Sequence, residues 1–203
     1  FGEASLECIY QIALWSRIAN RLHLILFTGD ASDAKSLYTT CKRFAWHTIF
    51  NVDNSLKFSF HGTSGELRNE MYSAQVMKDA VADYFRDYSG MRPDVDKRDA
   101  KVHIHAHLKH GQVTVSLDLV GYSMHQRGYR LEQGVAPLKE NVAAALLMRM
   151  NWPEMAAQGG YFADLVCGSG TIVIEAAMMA AHMAPGLLRD DQAFNAWLGH
   201  DDL

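Results

Sequence analysis

The sequence predicts two units in tandem: a mixed α+β unit up to about residue 120, then the opening of a doubly wound α/β unit. Three observations predict this. Strand-like alternation is interleaved with helical periodicity before residue 120. After residue 136 the order is helix, short apolar run, glycine turn, helix, as at the start of a parallel α/β sheet. The charge balance also shifts: residues 1–130 hold 16 Lys+Arg against 14 Asp+Glu, and residues 131–203 hold 3 against 9. Such a shift suits two units with different surfaces. The expected division is 1–120, a linker over 121–135, and 136–203.

Each element has a local reason. Leu6, Ile9, Tyr10, Ala13, Leu14 and Ile18 recur at helical spacing and predict an amphipathic helix over residues 4–20. "RLHLILF" (21–27) reads as a buried strand. Ser32 and Asp33 can cap a second helix running to Ala45. "SLKFSFHG" (55–62) alternates, with Leu56, Phe58 and Phe60 on one face. A third helix is predicted from Tyr72 to Tyr88, with Ala74, Met77, Val81, Ala82 and Phe85 inward. "SGMRPDVDKRDAK" (89–101) is a connector broken at Pro93. "KVHIHAHL" and "QVTVSLDLV" form a hairpin turning at Lys109–Gly111. "PLKENVAAALLMRM" (137–150) is a helix with Pro137 near its start. "GGYFADLVCGSGT" (159–171) supplies a strand and a turn, and "IVIEAAMMAAHMA" (172–184) a helix stopped by Pro185-Gly186.

Several function classes are excluded. No apolar run is long enough to span a bilayer as a helix. The chain opens on Phe1 with no signal-peptide pattern, so the true N-terminus is expected to lie upstream. Cys8, Cys41 and Cys167 are odd in number and widely spaced, which fits a reducing cytoplasm and no disulfide framework. His103, His105 and His107 share one face of a strand, but such residues step in a line by about 7 Å, ill-suited to tetrahedral metal binding. No metal is expected. Ser169 lacks the partners of an acyl-transfer nucleophile.

The glycine turn carries the chemistry. Gly168 and Gly170 allow positive φ and close approach of a ligand. The following helix offers free N–H groups and the positive end of its dipole. A phosphate loop is excluded, because Gly170 is followed by Thr171 with no lysine. A dinucleotide fingerprint lacks its third glycine, since Val173 stands there. S-adenosylmethionine (SAM) fits: its carboxylate suits the loop amides and Asp164 its amino group. A ligand-free strand-to-helix turn is the plain alternative. Elsewhere, Arg68 and Asn69 open the third helix. With Lys78, Arg86, Arg92, Lys97, Arg98 and Lys101 they make either a phosphate-contacting surface or, with Asp87, Asp94, Asp96 and Asp99, surface ion pairs. Arg127, Tyr129 and Arg130 lie in the linker, placed to meet RNA or to brace the two units.

"DLVCGSGTIVIEAAMMA" resembles motif I of the RNA guanine-N2 methyltransferases. "HQRGYR" and "GVAPLKENVAAALLMR" resemble two further segments of that family, and "LWSRIANRL", "LRNEMYSAQVMKDAVADYF" and "RPDVD" resemble its THUMP domain. The resemblance runs from Leu14 to Gly186, closest to the bacterial 23S rRNA enzymes with an N-terminal THUMP domain. It implies a THUMP-type α+β RNA-binding domain followed by the first part of a class I, Rossmann-like methyltransferase domain. It implies SAM at Asp164, Cys167, Gly168, Ser169, Gly170, Thr171 and Glu175, and RNA at Arg68, Asn69, Lys78, Arg127 and Arg130. Leu165 departs from the family's usual proline. The family's ribose-binding acid and its Asn/Asp-Pro-Pro-Tyr/Phe loop are not found, and no Pro-Pro occurs in the chain. The sequence therefore reads as an inactive fragment of an rRNA methyltransferase. The alternatives are a non-catalytic RNA-binding module and a DNA adenine-N6 methyltransferase.

Overall fold

The computed structural model describes residues 2–96, 98–130, 137–189 and 193–200. In chain order the elements are α1 (Leu6–Trp15), β1 (His23–Asp30), α2 (Ala34–Arg43), β2 (Leu56–His61), α3 (Glu70–Ser89), β3 (Val102–Lys109), β4 (Gln112–Asp118), α4 (Glu140–Arg149), α5 (Trp152–Ala157) and α6 (Thr171–Ala180). They divide into two compact units. One joins Phe1–Leu22 to Tyr122–Asp191, and the other joins His23–Gly121 to Gln192–Leu203.

The second of these is a sheet unit. Its four strands lie in the order β1-β4-β3-β2. β4 is antiparallel to both its neighbours, and β2 runs parallel to β3. Parallel pairing needs a crossover, which α3 supplies. The β3–β4 hairpin turns on two residues in the left-handed region, His110 (φ 50°) and Gly111 (φ 73°). That backbone matches the twist of the flanking strands. Leu56, Phe60, Val102, Ile104, Ala106, Leu108, Val113, Val115 and Leu117 are buried, as are Leu37 and Cys41 of α2 and Met77, Val81 and Phe85 of α3. α2 packs on β1 and α3, and α3 on β2.

The predicted start of α2 is borne out. Asp33 accepts from the Ser36 N–H at 2.6 Å, and Ser36 Oγ from the Asp33 N–H at 3.0 Å, a reciprocal capping box. A short turn after α2 buries Trp46, whose indole N–H donates to the Cys41 carbonyl at 2.8 Å. Burial pushes the Cys41 thiol up to about 12, so it stays protonated and inert. α3 begins at Glu70, earlier than its periodicity suggests, because Asn69 Oδ1 accepts from the Met71 and Tyr72 N–H groups.

The other unit is helical. α4, α5 and α6 pack around Ala144, Leu147, Trp152, Ala176 and Met179. The Trp152 indole donates to the Ala176 carbonyl at 2.9 Å. Two expectations are corrected here, and one further helix appears. The strand expected before the glycine turn does not form, and Tyr161, Leu165 and Val166 are 98%, 95% and 90% exposed. A strand needs a neighbour for its N–H and C=O groups, and this unit offers none among its described residues. Residues 152–157 form α5, because Pro153 sits in the first turn, where no intrahelical N–H bond is lost. α6 stops at Ala180, before Pro185. His182 takes φ 50°, and the N–H groups of Met183 and His182 bond the Met178 and Met179 carbonyls at 2.9 and 3.1 Å.

α1 groups with the helical unit rather than with the sheet that follows it in sequence. α1 is shorter than expected, starting after its cap Ser5. Residues 131–136 of the expected linker lie outside the described residues, as does Lys97 of the expected basic surface.

Leu37→Ala is expected to lower the unfolding free energy by about 2–5 kcal/mol, because it opens a cavity between helix and sheet. Met71→Ala, at a residue 81% exposed, is expected to stay within about 0.5 kcal/mol. Denaturant titration of both variants checks the difference.

Candidate functional site

The glycine turn lies on the surface of the helical unit. Gly168 and Gly170 have φ 53° and 75°, and the Gly170 N–H closes the turn on the Cys167 carbonyl at 2.8 Å. A Cβ on Gly168 would meet nothing within 4 Å, so positive φ alone explains glycine there. Gly170 is the N-cap of α6 and offers no side-chain hydrogen bond to the first turn. The opening N–H groups of α6 are thus left to an outside acceptor, with the helix dipole favouring an anion. Asp164 Oδ1 accepts from the Val166 N–H at 3.1 Å, which bends the chain toward the turn. Cys167, Gly168 and Ser169 are exposed. Ser169 Oγ lies 3.3 Å from Thr171 Oγ1.

Thr171 and Glu175 point inward instead. Thr171 is buried and accepts from Arg130 Nη2 at 2.9 Å. Arg130 also pairs with Glu140 at 3.1 Å and donates to the Leu138 carbonyl at 2.9 Å. Glu175 is fully buried. Its Oε1 accepts from Arg127 Nε at 3.4 Å and from the Tyr129 hydroxyl at 3.3 Å, while Oε2 faces Arg17 Nη1 at 3.9 Å. Burial raises the Glu175 carboxyl, and the guanidinium groups of Arg127 and Arg17 oppose that rise. Burial and the Glu175 charge both raise the Tyr129 hydroxyl, so it stays a donor.

These contacts correct three expectations. Glu175 does not face the loop's ligand side. Arg127 is buried, with Nη1 on the Met124 carbonyl at 2.6 Å and Nη2 on the Arg17 carbonyl, so it cannot reach a phosphate. Arg130 is engaged within the unit through Glu140, the Leu138 carbonyl and Thr171. Both brace the helical unit.

Two further arginines carry the same network, and sequence reasoning passed over them. Arg17 donates to the Met183 carbonyl at 2.6 Å, just beyond α6, and reaches the Met178 carbonyl in its last turn at 3.5 Å. Arg189 donates to the Ala13 carbonyl at 2.9 Å and the Met124 carbonyl at 2.6 Å, and the Gly186 N–H bonds the Leu14 carbonyl at 2.9 Å. Each helix end is capped by a group from the other's flank. The available signal was one acid inside an otherwise apolar helix, which demands a buried cation.

In the sheet unit, Arg68 and Asn69 stand together at the start of α3, and Lys78 lies farther along it. Arg68 is exposed and donates to the Gly65 carbonyl at 3.2 Å. Asn69 is committed to capping. Lys78 pairs with Asp79 at 3.0 Å and lines a groove of about 400 Å³ with Lys57, His61, Glu70 and Gln75.

Glu175→Ala strips the carboxylate from two buried guanidinium groups and is expected to lower stability by about 3–5 kcal/mol. Removing the exposed Arg86–Asp83 pair by Arg86→Ala is expected to cost under about 1 kcal/mol. Thermal and denaturant unfolding of the two variants measures both.

No helix among the described residues is long and apolar enough to cross a membrane. Residues 31–118 match the THUMP domain family, and residues 127–199 match the family described as "RMKL-like, methyltransferase domain". The chain is 56% identical to the ribosomal RNA large subunit methyltransferase K/L of Legionella pneumophila over 98% of its length, and 48% identical to that of Pseudomonas aeruginosa. It spans about 28% of the length of these curated relatives. Among solved structures, it resembles a predicted N6-adenine-specific DNA methylase from Listeria monocytogenes, with a TM-score of 0.81 and 28% identity over 96% of this chain and 50% of that one. It also resembles a chain assigned as a methyltransferase and complexed with SAH, with a TM-score of 0.75 and 28% identity over 98% of this chain and 52% of that one. The order of a mixed sheet unit and a glycine turn opening a helix is thus a family arrangement: a THUMP domain followed by part of an RMKL-like methyltransferase domain.

Proposed function

We propose that this chain is the front part of a SAM-dependent methyltransferase acting on large-subunit (23S) ribosomal RNA in the cytoplasm and forming N2-methylguanosine. The observation that carries the reading is the exposed Gly168–Gly170 turn, set on a helix whose first N–H groups have no side-chain cap. A methionyl carboxylate suits those donors, and Asp164 suits the ammonium group. Cys167, Ser169 and Thr171 shape the same loop. Glu175 acts one layer beneath, holding α6 in place. The sheet unit supplies RNA contacts through Arg68 and Lys78.

The exocyclic guanine amine is a weak nucleophile, since its lone pair is delocalised into the ring. The enzyme's task is then to orient that amine in line with the sulfonium methyl after the base has left its stack. The groups that grip the amine are expected in an Asn/Asp-Pro-Pro-Tyr/Phe loop, and this sequence contains no Pro-Pro. These 203 residues alone are therefore expected to show no methyl transfer.

The test uses the longer protein with labelled SAM and, in parallel reactions, unmodified 23S rRNA and unmethylated DNA, followed by nucleoside analysis. N2-methylguanosine is the expected product. N6-methyladenine in DNA would replace this reading with the DNA methylase alternative, and RNA binding without any transfer would leave a binding module. Gly170→Val in the longer protein is expected to weaken SAH binding and abolish its thermal stabilisation. Arg68→Ala with Lys78→Ala is expected to weaken RNA binding across sequences and to reduce its salt dependence by about one counterion per lost contact.

A further inference from the structure

The face of the sheet turned away from α2 and α3 carries five histidines. Register places His61, His103, His105, His107 and, across β4, His23 on that face, with Thr114, Ser116 and Asp118 between them. Spacing along β3 alone argues against a metal. The fold brings together a different set, from three strands. β1 and β3 flank β4 and so lie about 9.5 Å apart. Yet the rings of His23 and His105 stack with centroids 4.5 Å apart. Both side chains lean inward over β4, where Asp118 is fully buried.

One ligand atom from each of His23, His105 and Asp118 lies within 4.8 Å of the others. His105 Nε2 is 3.7 Å from Asp118 Oδ2. The other carboxylate oxygen, Oδ1, accepts from the Val120 and Gly121 N–H groups, both at 3.0 Å. The carboxylate is thus held by backbone donors with one oxygen turned to the imidazoles, as hydrogen bonds behind a metal ligand orient it. Two imidazoles and one carboxylate form a borderline donor set that suits a divalent transition ion such as zinc, with water completing the coordination.

We propose that His23, His105 and Asp118 form a divalent metal site that clamps edge strand β1 to β4 and β3. The ion would draw the three donors inward by about 1 Å, to the spacing of a zinc coordination shell. Its place at the first residue of β1 fixes the point where the chain enters the sheet.

Titrating Co²⁺ into the metal-stripped 203-residue chain tests this directly. The expected result is one equivalent bound with visible d–d absorption, displaced by Zn²⁺, and a higher unfolding midpoint with Zn²⁺. His23→Gln and His105→Gln are each expected to weaken Co²⁺ binding by more than about tenfold. Asp118→Asn keeps an oxygen for the Val120 and Gly121 N–H groups, so it should fold and likewise lose binding. His107→Gln, on the same face, should bind as the parent does. Absence of the absorption, several weak equivalents, or equal loss in His107→Gln would overturn the proposal.

Discussion

The helical unit depends on one buried carboxylate. Glu175 sits in α6, dry on all sides, with guanidinium groups from before β1 and from the segment after β4 turned toward it. Neither arginine is near it in sequence. Bringing a charge of each sign out of water costs several kcal/mol per ion, and the mutual attraction roughly offsets that. The network's contribution is therefore specificity more than net stability. It fixes which helix lies against which, and it explains why α1 belongs with residues 122–191. Arg17 also donates to the Met183 carbonyl just after α6, and Arg127 to the Arg17 carbonyl just after α1, so the ion pair and the segments that follow both helices form one connected system.

That system also sets the glycine turn. Thr171 is tied to Arg130, and Arg130 to Glu140 at the start of α4. The residues after Gly170 are thus anchored to a rigid interior, while those before it lie in solvent. Gly128 contributes to the same interior. Its φ is 92°, and a Cβ there would approach the Leu188 carbonyl to 2.3 Å, so only glycine lets these two backbones touch.

Features written into neighbouring residues were legible in the sequence. The hairpin, the Asp33 cap, the alternation of β2 and the inward face of α3 all follow from short-range rules, and all appear in the structure. What the sequence hid was long-range. The pairing of β1 with β4 spans about ninety residues and leaves no local signature. The burial of Arg127 and the pairing of Arg130 with Glu140 were invisible for a different reason: an arginine in a linker looks the same whether it meets phosphate or carboxylate. The apolar run before the glycine turn has strand propensity, but a strand is a property of two segments and cannot be read from one. The turn through Gly168 and Gly170 was the legible part of the candidate site, because a glycine turn before a helix is local chemistry.

α6 begins without a side-chain cap, and this has a consequence for how its loop and any ligand share free energy. A carboxylate seated on those amides would finish a helix, doing the work that a serine or aspartate does elsewhere. Ordering of the first turn and occupancy of the loop then become one equilibrium. Affinity is reduced by whatever it costs to still the loop, and anything that stiffens the loop beforehand tightens the ligand without touching it. The solvent exposure of residues 165–169 makes their ordering in that sense a tuning parameter, set by sequence and read out as a dissociation constant.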